Sequence, residues 1–267
     1  MSATGIPRRD LALTWLGQAG VVVDDLQTRV VIDPFIAPSS GRAVPAPDPA
    51  TLPIDDVDAV LCTHEHNDHL HPDSLRLIRR RSPRAVIVVP EPLRAAVERE
   101  LGGDVVGARV DAPVWIGNLE IVPLPAWHAV NTGEPIGDGS TAHEPARFLG
   151  YAIKAGSHVL FHAGDTVRSP RHVDDLKRLG VTVALLPING RDAEREAQNI
   201  VGNLTAAEAV ELARDAQVKV LVPIHYDMFE ANFGDPSHAK RAADGTGVHV
   251  LELTRYEPTA ITVPGAS

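Results

Sequence analysis

Residues 57–75 read "VDAVLCTHEHNDHLHPDSL". A smooth apolar run ends at Cys62, and four histidines follow between Thr63 and Leu75. The apolar run has the make-up of a buried strand. Pro72 suits the first position of a helix, where a missing N–H costs nothing, and Asp73 suits the positive end of the helix dipole. The histidines therefore fall at the carboxyl end of a strand and before a helix, where open α/β sheets place their ligand sites. In extended chain His64 and His66 point to the same side, roughly 6.6–7 Å apart. A curl after them brings both imidazoles to one cation, and Asp68 and His69 beyond the curl serve the same ion or a second one. Neutral imidazole and carboxylate are the ligands zinc takes after thiolate, and manganese accepts them too. A structural zinc site would usually use cysteines, and the single cysteine, Cys62, precedes the cluster on the strand. The pattern points to a catalytic site. His71, directly before Pro72, reads as a helix cap or a solvent-facing side chain.

Upstream, "LALTW", "GVVVDD" and "TRVVIDP" read as three short strands with turns at Gly17–Gly20 and Leu26–Thr28. Residues 34–53 contain six prolines. Each removes a backbone donor and fixes φ, so this stretch is a loop, and loops of such length usually belong to a functional site or are disordered. Downstream come the helix "HPDSLRLIRRR", the strand "AVIVV" and the helix "EPLRAAVEREL". The short strands "APVWI", "LEIVPLP", "LGYAI" and "HVLFHAG" follow, the last two joined by a hairpin turn at "KAGS". The last third alternates: a helix ending at Gly180, the strand "VTVALLPI", a helix over "AAEAVELARDA" opened by a T-x-x-E capping box at Thr205 and Glu208, then the strands "VKVLVPIH" and "GVHVLEL". Hairpins mixed with β-α-β runs predict an α/β protein with two sheets packed face to face and helices outside. A single doubly wound sheet is the runner-up and handles the central hairpins poorly.

The whole chain, 267 residues with 44% apolar residues, suits one domain over 1–267. A net charge of −10 disfavours nucleic-acid partners, and no apolar run reaches 18 residues. One cysteine excludes an internal disulfide and fits a reducing, cytoplasmic setting. Arg8 and Arg9 faintly resemble a twin-arginine export signal, but Gly17, Gln18 and Gly20 break the apolar run and no small-residue cleavage site follows.

Three more strands end in ligand-capable residues: "EIVPLPAWH" at His128, "HVLFHAGD" at Asp165 and "KVLVPIH" at His225. With the first cluster they supply ligands enough for two metals. "THEHNDHL", His128, "HAGDT" and "PIHYD", in that order, resemble the metallo-β-lactamase superfamily, and the resemblance covers nearly the whole chain. It implies a four-layer αβ/βα sandwich. It also implies that His64, His66 and His128 bind one metal, that Asp68, His69 and His225 bind the second, and that Asp165 bridges them. His66 stands where the oxygen-reducing diiron members carry Glu, so a redox role is not expected. The chain lacks room for the inserted domain of the nucleic-acid-cleaving members.

"WLGQAG", "FHAGDT", "PING", "NLTAAEAVELA" and "IHYDMF" are similar to the ascorbate-6-phosphate lactonase group. That resemblance implies a cytoplasmic, oligomeric hydrolase with two divalent ions, Zn or Mn, opening the lactone or ester of a small, phosphorylated substrate. Metal-held hydroxide attacks the carbonyl, and Asp68 or Asp165 orients the water. For the substrate phosphate the first candidate is Arg191 beside Asn189 of "PING", ahead of Arg147 and Lys154. Tyr226 and Asp227 shape the pocket, and His162 orients a ligand or simply packs in its strand. The loops 34–53 and 129–147 lie where a pocket would be lined. Two other readings are a phosphodiesterase for a small molecule or phospholipid headgroup on the same two-metal site, and a metal-dependent binding protein without turnover. The absence of an amphipathic membrane helix weighs against the phospholipid reading.

Overall fold

A computed structural model describes residues 11–263; the paired arginines Arg8 and Arg9 lie outside them. The first sheet begins as antiparallel strands β1 (Ala12–Gly17), β2 (Gly20–Asp24) and β3 (Arg29–Ile32). It continues in parallel through β4 (Ala59–Leu61), β5 (Val86–Pro90) and β6 (Val105–Ala108). Helices α1 (Pro72–Arg81) and α2 (Glu91–Leu101) make the parallel crossovers.

The second sheet repeats this plan. Antiparallel strands β7 (Val114–Ile116), β8 (Leu119–Pro125), β9 (Leu149–Ala155) and β10 (His158–His162) lead into parallel β11 (Val183–Pro187), β12 (Val220–Ile224) and β13 (His249–Val250). Helices α3 (His172–Leu179), α4 (Ala193–Ala197), α5 (Ala206–Asp215) and α6 (Pro236–Ala243) belong to this half, and β14 (Pro258–Ala260) returns to pair with β1. The result is two seven-stranded sheets flanked by helices, the expected αβ/βα sandwich; the single doubly wound sheet is excluded.

Side-chain alternation explains the layering. Val21, Val23, Val30, Ile32, Ala59 and Leu61 point into the core shared with the second sheet. Val22, Val31, Val60 and Cys62 point the other way, into a smaller core completed by Leu75 and Ile78 of α1 and Val97 of α2. Both faces are covered, which is why these strands read as continuous apolar runs. The α5 capping box forms as the sequence predicts, with Thr205 and Glu208 each satisfying the other's backbone N–H. Two expectations change. "GVHVLEL" shrinks to the two residues of β13, and "HVLFHAGD" and "EIVPLPAWH" leave their strands at His162 and Pro125, three residues before Asp165 and His128.

No helix among the described residues is long and apolar enough to cross a membrane.

Candidate metal centre

At one end of the sandwich the two sheets are stitched together. The Leu149 N–H donates to the Thr63 carbonyl at 3.0 Å, linking the end of β4 to the start of β9. Trp127 and Val167 pair through their backbones, and the Trp127 N–H donates to Thr166 Oγ1 at 2.8 Å. These links, with the His225 N–H donating to the Gln18 carbonyl at 2.8 Å, bring four separate loops together. His64, His66, His128 and Asp165 form one nest of ligand atoms, all within 4.8 Å of one another. Asp68, His69 and His225 form a second under the same limit.

Asp165 faces both nests. Its Oδ1 lies 3.2 Å from Nε2 of His69 and 3.2 Å from Nε2 of His225, while its Oδ2 lies 3.8 Å from His128 Nε2. His225 Nε2 is also 3.2 Å from Asp68 Oδ2, and His128 Nε2 is 3.2 Å from His66 Nδ1. The seven residues expected to hold metal are thus brought together.

The surroundings fix which ring nitrogen His66, His69 and His64 turn inward. His66 Nε2–H donates to the Val130 carbonyl at 3.0 Å, which frees Nδ1. His69 Nδ1–H donates to Asp33 Oδ2 at 2.7 Å, which frees Nε2. Thr63 Oγ1 donates to the same Asp33 oxygen at 2.7 Å and accepts from His64 Nδ1 at 3.0 Å, which frees His64 Nε2. Partners of this kind select the tautomer and hold the ring of a metal-binding histidine. Among the described residues Nε2 of His64 and of His69 and Oδ1 of Asp165 are buried with no well-aligned hydrogen-bond partner. Buried polar atoms are ordinarily satisfied, so a cluster of orphans aimed at one spot fits a cation.

The electrostatics divide the nests. Burial pushes His64 well below its ordinary value and takes His128 down to about 3, leaving both neutral. In the second nest burial opposes charge, but Asp165 and Asp68 outweigh it, raising His69 well above its usual range and His225 to about 9. Reciprocally, His69 and His225 overcome burial and hold Asp68 and Asp165 below the usual carboxylate range. Two protons thus balance two carboxylates where a divalent cation would meet the same acceptors.

Two residues at the centre escaped the sequence reading. In the sequence Asp33 reads as the end of a strand, yet it is fully buried, turns at φ 45°, and also accepts the Thr63 N–H at 2.8 Å. Gln18 turns at φ 52° and brings its Nε2 to 2.8 Å from Asp68 Oδ2 and 2.9 Å from His225 Nε2. A polar residue breaking an apolar β-hairpin was the available signal for Gln18; Asp33 had only its place after "VVI".

The substrate and support candidates fare differently. Arg191 is not at the centre: both its terminal nitrogens bond Glu208, at 2.7 and 2.6 Å, and this pairing takes Glu208 down to about 2. Asn189 is buried in an amide ladder with Asn232 and Asn203. Tyr226 stacks on Trp15 with ring centroids 5.0 Å apart. His162 donates from Nε2 to the Ala19 carbonyl at 2.8 Å and accepts the Gly164 N–H at 3.2 Å, supporting the turn that carries Asp165. Lys154 pairs with Glu120, Arg147 with Glu65, and Asp227 with Arg255 and the Gln18 N–H. His71 is buried, with Nδ1 2.9 Å from Ser74 Oγ, and is not solvent-facing.

A cavity of about 710 Å³ opens over the two nests and is lined by His66, Asp68, Asp165 and His225 together with both expected loop regions, through Arg42 and Val130. Its size suits a small molecule.

The profile of the β-lactamase superfamily domain matches residues 28–226. A UPF0173 metal-dependent hydrolase of Methanopyrus kandleri is 31% identical over 255 residues, covering 93% of this chain and 97% of that protein. A metallo hydrolase of Ignicoccus hospitalis superposes with a TM-score of 0.69 at 22% identity, over 93% of this chain and 97% of that one. A diiron β-hydroxylase of Streptomyces venezuelae gives 0.71 at 18% identity, over 94% of this chain and 54% of that one. The last two likenesses concern the fold.

Proposed function

For a chain that belongs to the metallo-β-lactamase superfamily and, within it, to the UPF0173 metal-dependent hydrolases, we propose hydrolysis of the lactone or ester of a small molecule at a centre holding two divalent ions. The observation that carries this reading is Asp165, whose two oxygens face separate nests of imidazole and carboxylate. His64, His66 and His128 would hold one ion, Asp68, His69 and His225 the other, with Asp165 between them. Zinc and manganese both suit this donor set. Such ions supply Lewis acidity and draw the pKa of a coordinated water down to about 7.

The chain's own groups supply the rest. Asp68 is the more open of the two carboxylates, 19% exposed against 6% for Asp165. Ionised, it accepts a hydrogen bond from the attacking water and orients it towards the carbonyl. The Gln18 amide, beside the second nest, is a neutral donor for the oxyanion that develops as the tetrahedral centre forms. Collapse of that centre breaks the ring C–O bond, and the proton given up by water ends on the departing oxygen. Asp33 and the Val130 carbonyl keep His69 and His66 in the orientation this requires.

The test is a turnover panel with zinc- or manganese-loaded protein: simple lactones and aryl esters beside bis(4-nitrophenyl) phosphate. Lactone or ester opening that disappears on chelation and in His66→Ala and Asp165→Ala, with the fold intact by circular dichroism, is expected. Turnover of the phosphodiester alone would assign the centre to phosphorus chemistry instead.

A further inference from the structure

The half-buried Arg42, carried into the cavity by the proline-rich loop 34–53, makes no ion pair among the described residues. Among the described residues it is also the one lysine or arginine that lines the cavity over the nests. We infer that Arg42 is the specificity-determining cation of this site and that the substrate carries an anionic group, a carboxylate or phosphate, on the side of the bond away from the metal nests. The inference rests on the hydrolytic reading above and adds the substrate's charge to it.

The guanidinium is placed, not loose. Its Nε donates to the Val44 carbonyl at 2.9 Å and its Nη1 to the Phe35 carbonyl at 2.6 Å, while its carbon stacks 4.8 Å over the Phe35 ring. Phe35 is itself wedged between His71 and Phe229, with ring centroids 4.9 and 5.7 Å away. The loop is pinned at both sides of this arginine. Ser74 Oγ accepts the N–H groups of Ile36 and Ala37 at 2.9 and 3.0 Å, and the Ala43 N–H donates to the Met228 carbonyl at 2.7 Å. Two of the three nitrogens are therefore spent on holding the side chain. The third, Nη2, is buried beneath the cavity wall and has no partner among the described residues.

A half-buried cation without an ion pair costs stability, and the neighbouring Tyr256 and Asp227 offset its burial only in part. Asp227, the nearby acid, is taken by Arg255, and Glu230 on the cavity rim forms no pair with Arg42. Burial lowers the affinity of Arg42 for its proton and Arg255 adds to the effect, while Tyr256 and Asp227 act against it. The planar fork of arginine matches carboxylate and phosphate geometry, so an anionic substituent supplies what the fold withholds. Arg191, Arg147 and Lys154, by contrast, each already face a glutamate.

The test compares dicarboxylates of four to six carbons with butyrate, each titrated calorimetrically into metal-loaded wild type, Arg42→Gln, Arg42→Lys and Arg191→Gln proteins. Both acid types share one carboxylate for the metals, so the affinity ratio isolates the second charge. Wild type is expected to bind the best dicarboxylate at least tenfold tighter than butyrate. The ratio falls to within threefold of unity in Arg42→Gln, stays intermediate in Arg42→Lys, and keeps its wild-type value in Arg191→Gln. A wild-type ratio near unity, or one that survives Arg42→Gln, overturns the inference. If the ratio behaves as expected but no lactone or ester is opened, the anion site stands and the hydrolytic reading fails.

Discussion

Asp33 shows how much of this centre is built one atom away from the imidazoles that face it. A single buried carboxylate holds His69 directly and, through the Thr63 hydroxyl, His64 as well. Replacing it with Asn keeps the shape but removes the charge and presents an amide where acceptors are needed. Asp33→Asn is therefore expected to weaken divalent-metal affinity on the order of 10–100-fold, read by competition with a chromogenic chelator; unchanged affinity would leave Asp33 a mere packing residue. A pH dependence follows from His225. Its pKa is raised from 6.5 to about 9 by Asp165 and Asp68 against the effect of burial. A proton bound more tightly when folded stabilises the metal-free protein fully below pH 6.5, and that stabilisation is lost as pH rises through 9. Metal must displace the same proton, so apparent metal affinity climbs over this window. The rise in melting temperature on adding metal should accordingly be larger at pH 9 than at pH 6, and an equal or smaller rise would contradict the assigned protonation.

At the scale of elements, the centre is assembled from strand ends that turn sharply. Asp33, Gln18 and His225 all follow strands and all have positive φ, at 45°, 52° and 59°. Non-glycine residues pay roughly 1–2 kcal/mol to sit there, and such strain gathers at functional sites. Sequence patterning cannot reveal it, because alternation marks where a strand buries its faces but not the dihedral at which it stops. The histidine run, by contrast, was legible: an apolar strand followed by H-x-H-x-D-H before a proline-started helix leaves few other readings. Gly164 makes another close turn at the centre. Its φ is +62°, and a Cβ there would lie 2.8 Å from Thr63 Cβ and 2.9 Å from the Leu149 carbonyl. Gly164→Ala must push apart the two sheets where they meet, separating His64 from Asp165. A loss of about 1–3 kcal/mol from overpacking is expected in urea denaturation, together with reduced metal content. A variant as stable as wild type would show that the junction yields freely.

For the molecule as a whole, the order of hairpins and crossovers foretold two packed sheets because each valine-rich strand needs cover on both faces. The pairing of β14 with β1 and the helix α6 escaped that reading: "PTA" carries no apolar alternation, and α6 announces itself only through Asp235 capping before Pro236. Arg191 misled for a related reason. Its place after a strand is visible in sequence, but its bond to the capping glutamate of α5 depends on tertiary approach. Arg42 lay in a stretch whose prolines declare a loop without saying what the loop covers. All of these features serve one convergence, and anomalous scattering from a crystal soaked in zinc or manganese measures it most directly. Two peaks are predicted per chain, one among His64, His66 and His128 and one among Asp68, His69 and His225, with an oxygen of Asp165 on each. No peak at either nest, or metal bound away from Asp165, would contradict the account.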